Sequence, residues 1–401
     1  MRNVAIIDTN STGADHEIIN ASLLIMTAET NNQVLYYASR ASIENIKGHL
    51  INQGKADLLE RVVFKNTYVF TGKKTYYNYL IKIFIAALIN TRIALFAKKD
   101  TYLIYNFNNI ISLFPLNLVS KLFNKKILMC CHAELEALMI PSSKKRWNFR
   151  AQDSFFKNSK ISESMNFLVF GDSILDNLSK ILPEKKMLHF KAITHPYFLA
   201  DVSLEDLSKE NLGGKDAIKI GIAGILDQNK GLNNLLELVK LLKPTMDQGL
   251  VEIYTISRLK FDKKIVLDLG VKIYNTENKF YSRQEYLNAI HQMNYIYLPY
   301  DRDRYKLTAS GAVFEGIFSK KPILALRNDY FDFLFNTYGN FGYLHETNEE
   351  LASTIVNAAN NKSQNDLFDL KFPEIKERLH PSFLAYDFNN IINTSYLAPN
   401  L

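Results

Sequence analysis

Residues 300–322 read YDRDRYKLTASGAVFEGIFSKKP. The apolar run Tyr295–Leu298 ahead of them has strand character. After it come a polar loop, a helical segment opened by Ser310 and Gly311 and holding Glu315, and then Lys320-Lys321-Pro322 before a second apolar run, Ile323–Leu326. Strand, loop, helix and strand in that order make a parallel βα unit. A small Ser-Gly pair at a helix start lets backbone N–H groups approach an anion, and the helix dipole adds to the attraction. A carboxylate about one turn on, Glu315, is placed to accept hydrogen bonds from ribose hydroxyls. Upstream, IGIAGILDQNKG (220–231) supplies a companion. There a strand runs into Gly221 and Gly224, and Lys230-Gly231 begins a helix of leucine period, so that Lys230 can neutralise a diphosphate from the other side.

The same grammar extends in both directions. Strands are expected at 4–8, 33–38, 61–64, 102–105, 126–131, 167–170 and 192–195, with helices between them. Residues 201–215 are polar, contain Gly213-Gly214, and read as a linker. Strands resume at 218–222, 251–256, 271–274, 295–298 and 323–326, and 383–396 reads as a closing helix. The expectation is an α/β protein with two doubly wound Rossmann-like domains facing a cleft. Its N-terminal domain covers 1–200, the linker 201–215, the C-terminal domain 216–380, and the terminal helix 381–401 packs back on the first domain. Ligands in such sheets sit beyond the carboxyl ends of the strands.

Composition agrees with that division. The chain has 401 residues, too many for one ordinary core, with 47% hydrophobic and 22% charged residues, which excludes a largely disordered chain. Its two cysteines, Cys130 and Cys131, are adjacent, a poor geometry for a disulfide, and fit a reducing, cytoplasmic compartment. The first residues lack the apolar core of a secretory signal. The longest uninterrupted apolar run in the basic region, Ile83–Ile89, falls far short of the roughly 20 residues a bilayer span needs. The net charge of +7 sits entirely in residues 1–212, and residues 61–126 carry eleven Lys and Arg against the single acid Asp100. Apolar stretches 79–96 and 110–122 lie among those cations, a pairing that suits an anionic membrane surface. The plainer alternative is a buried helix with a solvated basic face. No nucleic-acid-binding module is visible.

With these motifs the chain resembles the GT-B glycosyltransferases, particularly the group-1, family-four-like enzymes. The resemblance rests on GIAGILDQNKG (221–231), SRQEYLNAI (282–290) before YIYLPY (295–300), and SGAVFEGIFSKKPILA (310–325). It is clear over about 218–345 and only architectural over the first half. It implies a nucleotide sugar bound by the C-terminal domain and an acceptor by the N-terminal one, with no obligatory metal or other cofactor. Lys230 would contact the diphosphate, Ser310 and Gly311 would offer it backbone donors beside Gly224, and Glu315 would hold the ribose. Many retaining members carry a second glutamate eight positions before the ribose carboxylate; here that residue is Leu307.

An inverting enzyme needs a base for the acceptor hydroxyl. Asp15 and His16 close the loop after the first strand, and His132, Glu134 and Glu136 follow the fifth. A carboxylate or imidazole beside an apolar wall can be tuned toward neutral pKa, and of these candidates Asp15 is the preferred base. Asp301-Arg302-Asp303 matches the Asp-x-Asp metal pattern of another glycosyltransferase fold, but its arginines suit a salt-bridged loop, with Arg302 a candidate for phosphate contact. Each feature has a plainer reading: a capped helix whose Glu315 makes a surface pair, a solvated Lys230, a first-turn Asp15, structural histidines. The expected function is transfer of a sugar from a nucleotide diphosphate to a carbohydrate or lipid-linked acceptor in surface polysaccharide or glycolipid synthesis, such as lipopolysaccharide or capsule, at the inner membrane face. A sugar-nucleotide epimerase or hydrolase, or a non-catalytic sugar-binding descendant, is the alternative.

Overall fold

The computed structural model describes residues 3–13, 16–30, 33–73, 75–141, 145–199, 217–227, 230–279, 281–361 and 368–394. The linker expected at 201–215 lies outside them, as does Asp15. The chain divides into two units: Met1–Ala200 with Leu307–Ala309 and Arg378–Leu401, and Asp201–Lys306 with Ser310–Glu377.

The first unit is built on seven parallel strands, β1 (Asn3–Ile7), β2 (Gln33–Ala38), β3 (Val62–Asn66), β4 (Tyr102–Tyr105), β5 (Ile127–Cys130), β6 (Met165–Val169) and β7 (Phe190–Ala192). Their order is β3-β2-β1-β4-β5-β6-β7, so the sheet switches direction between β1 and β4. β4, β5 and β6 are buried along their whole length, which explains their continuous apolar sequences. The strand expected at 192–195 is instead β7, two residues earlier; Pro196 cannot donate to a ladder and leaves His195 in the following loop. Cys130 and Cys131 are both free and buried.

The second unit has six parallel strands, β8 (Ile218–Ile222), β9 (Val251–Thr255), β10 (Lys272–Ile273), β11 (Tyr295–Leu298), β12 (Ile323–Leu326) and β13 (Gly342–His345). Their order, β10-β9-β8-β11-β12-β13, places the switch between β8 and β11. Helices fill the connections in both units, giving the doubly wound α/β architecture expected from the alternating pattern.

One expectation from the basic region needs correction. The helix Tyr76–Phe96 spans 21 residues and is, by length and composition, long and apolar enough to cross a membrane, with 28% of its most apolar window buried. Counting only the uninterrupted run missed this, because Asn90 and Thr91 break the run while adding no charge, and Lys82 and Arg92 are the helix's only charged residues. The helix is nevertheless tied into the first unit at its middle. Asn90 accepts from Thr9 Oγ1 (3.0 Å) and donates to Ser112 Oγ (3.1 Å), and its carbonyl accepts from the Tyr105 hydroxyl (2.9 Å). Crossing a bilayer would sever all three.

Candidate functional site

In the first unit the loop after β1 is set by Asp8, which is fully buried and accepts from the backbone N–H groups of Asn10 and Ser11 (both 2.9 Å) and from Asn20 Nδ2 (2.7 Å). The loop ends at His16, whose left-handed backbone (φ 56°) forms the N-cap of the helix Glu17–Glu29. His16 meets Phe107, just past β4, edge-to-face at 4.7 Å, and lies 5.7 Å from the His132 ring, just past β5. His132 in turn stacks on Phe170 at 5.1 Å, and Phe170 touches His195 at 5.2 Å. The residues that follow β1, β4, β5, β6 and β7 thus form one aromatic and histidine-rich cluster at the carboxyl edge of the sheet, spanning its switch point.

Electrostatics separate the members. His132 Nε2–H donates to the Asn106 carbonyl (2.8 Å), and burial, with His16 close by, pushes its pKa down to about 3. Burial likewise lowers His195 to about 4, while Nδ1–H donates to the Pro196 carbonyl. Both rings are neutral at physiological pH. Glu134 moves the opposite way: burial raises it to about 7, against the lowering effect of backbone N–H groups such as that of His132, which donates to Oε2 at 2.8 Å. Raised to about 7, Glu134 is poised to exchange a proton near neutrality. Glu136 is used differently, accepting from the backbone N–H of Leu307 (2.8 Å). The Leu307 side chain is fully buried in the first unit's core, so the position of the missing glutamate is filled by packing.

In the second unit the two sequence motifs meet at the β8/β11 switch. Gly231 (φ +82°) begins the helix Leu232–Asp247, and a Cβ there would lie 1.5 Å from the Pro299 carbonyl oxygen, so only glycine lets the chain pass this close to the end of β11. Lys230, immediately before it, is half-buried, and the desolvation lowers its pKa against the opposing effect of Asp227. Gly224 (φ +81°) approaches Ala312, in the first turn of the helix Gly311–Phe318. Ser310 is that helix's N-cap, and its hydroxyl bonds to Tyr300 (3.2 Å) rather than capping the helix. Glu315, one turn in, is oriented by Arg283 Nη1 (2.8 Å) and by the Tyr286 hydroxyl. The carboxylate is therefore paired, as the plainer reading held, and at the same time fixed in position.

Arg302 does not join this group. It is 76% exposed and its guanidinium meets Glu346 at 3.2 Å. Asp301 accepts from Asn234 Nδ2 (3.0 Å), and Asp303, 91% exposed, pairs with Lys306. Sequence reasoning missed Phe107, Phe170 and His195. The available signal was position, since each falls within three residues of a strand's carboxyl end.

No protein-family model and no curated protein sequence matches the chain. Solved structures do. HepE of Anabaena, in complex with UDP and glucose, superposes with a TM-score of 0.61 at 13% identity, over 98% of this chain and all of that one. TarM of S. aureus, in complex with fondaparinux, α-GlcNAc-glycerol and UDP, gives 0.60 at 12% identity, over 98% of this chain and all of that one. WaaG, a glycosyltransferase involved in lipopolysaccharide biosynthesis, gives 0.61 at 10% identity, over 97% and 99%. At these identities the likeness establishes the fold, two Rossmann-like domains of the GT-B type.

Proposed function

We propose that the protein is a glycosyltransferase that moves a sugar from a nucleotide diphosphate sugar to a carbohydrate or lipid-linked glycan acceptor, in the synthesis of a surface polysaccharide or glycolipid. The observation that carries this is the convergence at the β8/β11 switch of Gly224, Lys230, the Ser310–Gly311 helix start and an oriented Glu315. Lys230 and the helix N–H groups would meet the charge that develops on the leaving diphosphate, and preorganised donors of this kind supply the largest share of many rate enhancements. Glu315 would accept from the ribose hydroxyls. That HepE was solved with UDP-glucose and TarM with UDP supports a uridine nucleotide as the first donor to try.

In the first unit the acceptor hydroxyl's proton is assigned to Glu134, with His16 lining the same cluster and Asp15 the alternative base. This assignment goes with inversion, the outcome for which the first unit has to supply a base. The basic, apolar face of residues 61–126 would hold the enzyme at an anionic membrane surface on the cytoplasmic side.

Thermal unfolding with a panel of nucleotide sugars tests the donor assignment. A ligand selective for the native state at a hundred times its Kd adds about 2.7 kcal/mol, a clear upward shift in Tm. Glu315→Ala should lose most of that shift. The reading fails if no nucleotide diphosphate raises the Tm, or if Glu315→Ala binds the donor unchanged.

A further inference from the structure

At the opposite edge of the first sheet from the histidine cluster lies a cavity of about 640 Å³. Asn3 and Gln33, which open β1 and β2, border it, as do Arg61 and Thr101, which stand immediately ahead of β3 and β4. In a parallel sheet these four mark the amino edge. Glu60 and Lys98, in the segments that lead into β3 and β4, complete that border. Further along the strands the walls are apolar: Ala5, Leu35, Tyr37 and Val63 from the sheet, and Ile93 and Phe96 from the last turn of the helix Tyr76–Phe96. Leu35, Tyr37 and Ile93 pack on the first unit's core yet stay partly buried, so the helix covers this part of the sheet without closing on it. Val63 and Phe96 are exposed.

We propose that this cavity takes the hydrocarbon chain of a membrane lipid, with the headgroup left at the amino edge. The volume falls within the roughly 300–1,000 Å³ of small-molecule sites. Its polarity runs one way, from charged and amide side chains at the border to aliphatic and aromatic walls inside, and that is the polarity of an amphiphile. The border carries both signs, Glu60 beside Arg61 and Lys98, so selection falls on the chain and not on the charge of the head. Each methylene moved from water to such walls adds to affinity. The source of the chain follows from Phe96, which is both a cavity wall and the end of a helix whose Phe84, Leu88 and Leu95 are exposed. A first unit lying on a bilayer by that helix brings the cavity to the lipid. Because the cavity and the histidine cluster occupy opposite edges of the sheet, the bound chain would anchor the protein and take no part in the reaction. The choice of a membrane as the source rests on the membrane reading above, whereas the preference for an alkyl chain does not.

Calorimetric titration of the full chain with octyl-, decyl- and dodecylphosphocholine, each below its micelle concentration, tests the proposal. Every two added methylenes should tighten binding by about tenfold, and glycerophosphocholine, which has the head without the chain, should not bind. Val63→Glu, which sets a carboxylate among the apolar walls, should weaken dodecylphosphocholine binding by about tenfold or more. Phe96→Ser, which removes a wall, should weaken it several-fold. Both side chains are exposed, and matching Tm values will show that the variants fold. Leu88→Glu/Leu122→Glu, on the outer helix faces, should leave the binding of these monomeric probes unchanged. Affinity independent of chain length, or binding unaltered in both Val63→Glu and Phe96→Ser, overturns the proposal. So does loss of binding in Leu88→Glu/Leu122→Glu, which would place the chain on the outer faces. A dimer that Val63→Glu converts to monomer would make a second copy of this chain the occupant, and would overturn it as well. If nucleotide diphosphates fail to bind while the chain-length dependence persists, the glycosyltransferase reading falls and the lipid-chain site stands.

Discussion

Glu134 keeps its proton to about pH 7 because burial disfavours the carboxylate more than its backbone donors favour it, and that has a consequence for stability. A raised carboxyl pKa means that between its ordinary value of 4.5 and about 7 the native state binds a proton the unfolded chain has released. The stability this group contributes is therefore present at low pH and lost as pH rises through 7, to a total of up to about 3 kcal/mol. His132 and His195 act with the opposite sign. Their lowered pKa values make the unfolded chain the better proton binder below 6.5, so their contribution is lost as pH falls. Glu134→Gln removes the first effect alone. Urea unfolding should show the variant gaining on the wild type by a few kcal/mol between pH 5 and pH 8, and a constant difference across that range would refute the buried, proton-holding assignment. The sequence revealed His132 and Glu134 as chemistry after a strand. It did not reveal which would be neutral, since that depends on Phe107, Phe170 and His195 arriving from three other strands.

At the scale of elements, two helices of the first unit leave apolar stripes uncovered. Tyr77, Phe84, Leu88 and Leu95, at spacings of seven, four and seven, are 72%, 50%, 72% and 42% exposed, and Phe114, Leu118 and Leu122, at spacings of four, are 43%, 55% and 67% exposed. Inward, the first helix buries only small or polar residues, Ala86, Ala87, Asn90 and Ala94. The two helices are joined by Asn109 Nδ2, which donates to the Ile83 carbonyl (2.9 Å). Lys82, Arg92, Lys98, Lys99 and Lys121 lie in and around them. The sequence showed both the apolar and the basic character, but whether the apolar side faced in or out depended on packing that no local pattern records. A face of this kind would bind vesicles containing phosphatidylglycerol, with about 1 kcal/mol from each lysine near the surface. Leu88→Glu/Leu122→Glu should cut co-sedimentation with such vesicles at least tenfold while leaving the Tm nearly unchanged, because both side chains are already in water. Equal binding to neutral vesicles, or binding undiminished at high salt, would count against a membrane as the occupant.

Across the whole chain the alternation of short apolar runs with helical periods was enough to read two parallel sheets, because buried parallel strands such as β4, β5 and β11 have no polar face to blur the signal. β13 escaped because its sequence GYLH is short and only Gly342 is fully buried, where a Cβ would meet the β12 backbone at 2.1 Å. The end of the chain depends on contacts far along the sequence. The helix Pro381–Thr394 lies against Glu17–Glu29, a helix buried from Ile18 to Ala28. Leu384, Ala385, Phe388 and Ile392 supply the covering face, and Ser382 Oγ donates to Glu29 (2.9 Å). A helix buried on every side, as Glu17–Glu29 is, needs cover on the side away from its sheet, and the first unit obtains that cover from residues more than 350 positions later. Phe388→Ala should therefore cost about 3–5 kcal/mol, the usual loss for a fully buried phenylalanine. Tyr386→Ala, two residues away on the 71% exposed side, should change stability by no more than about 0.5 kcal/mol. Guanidinium unfolding followed by circular dichroism distinguishes the two, and equal losses would mean that this helix does not serve as part of the first unit's core.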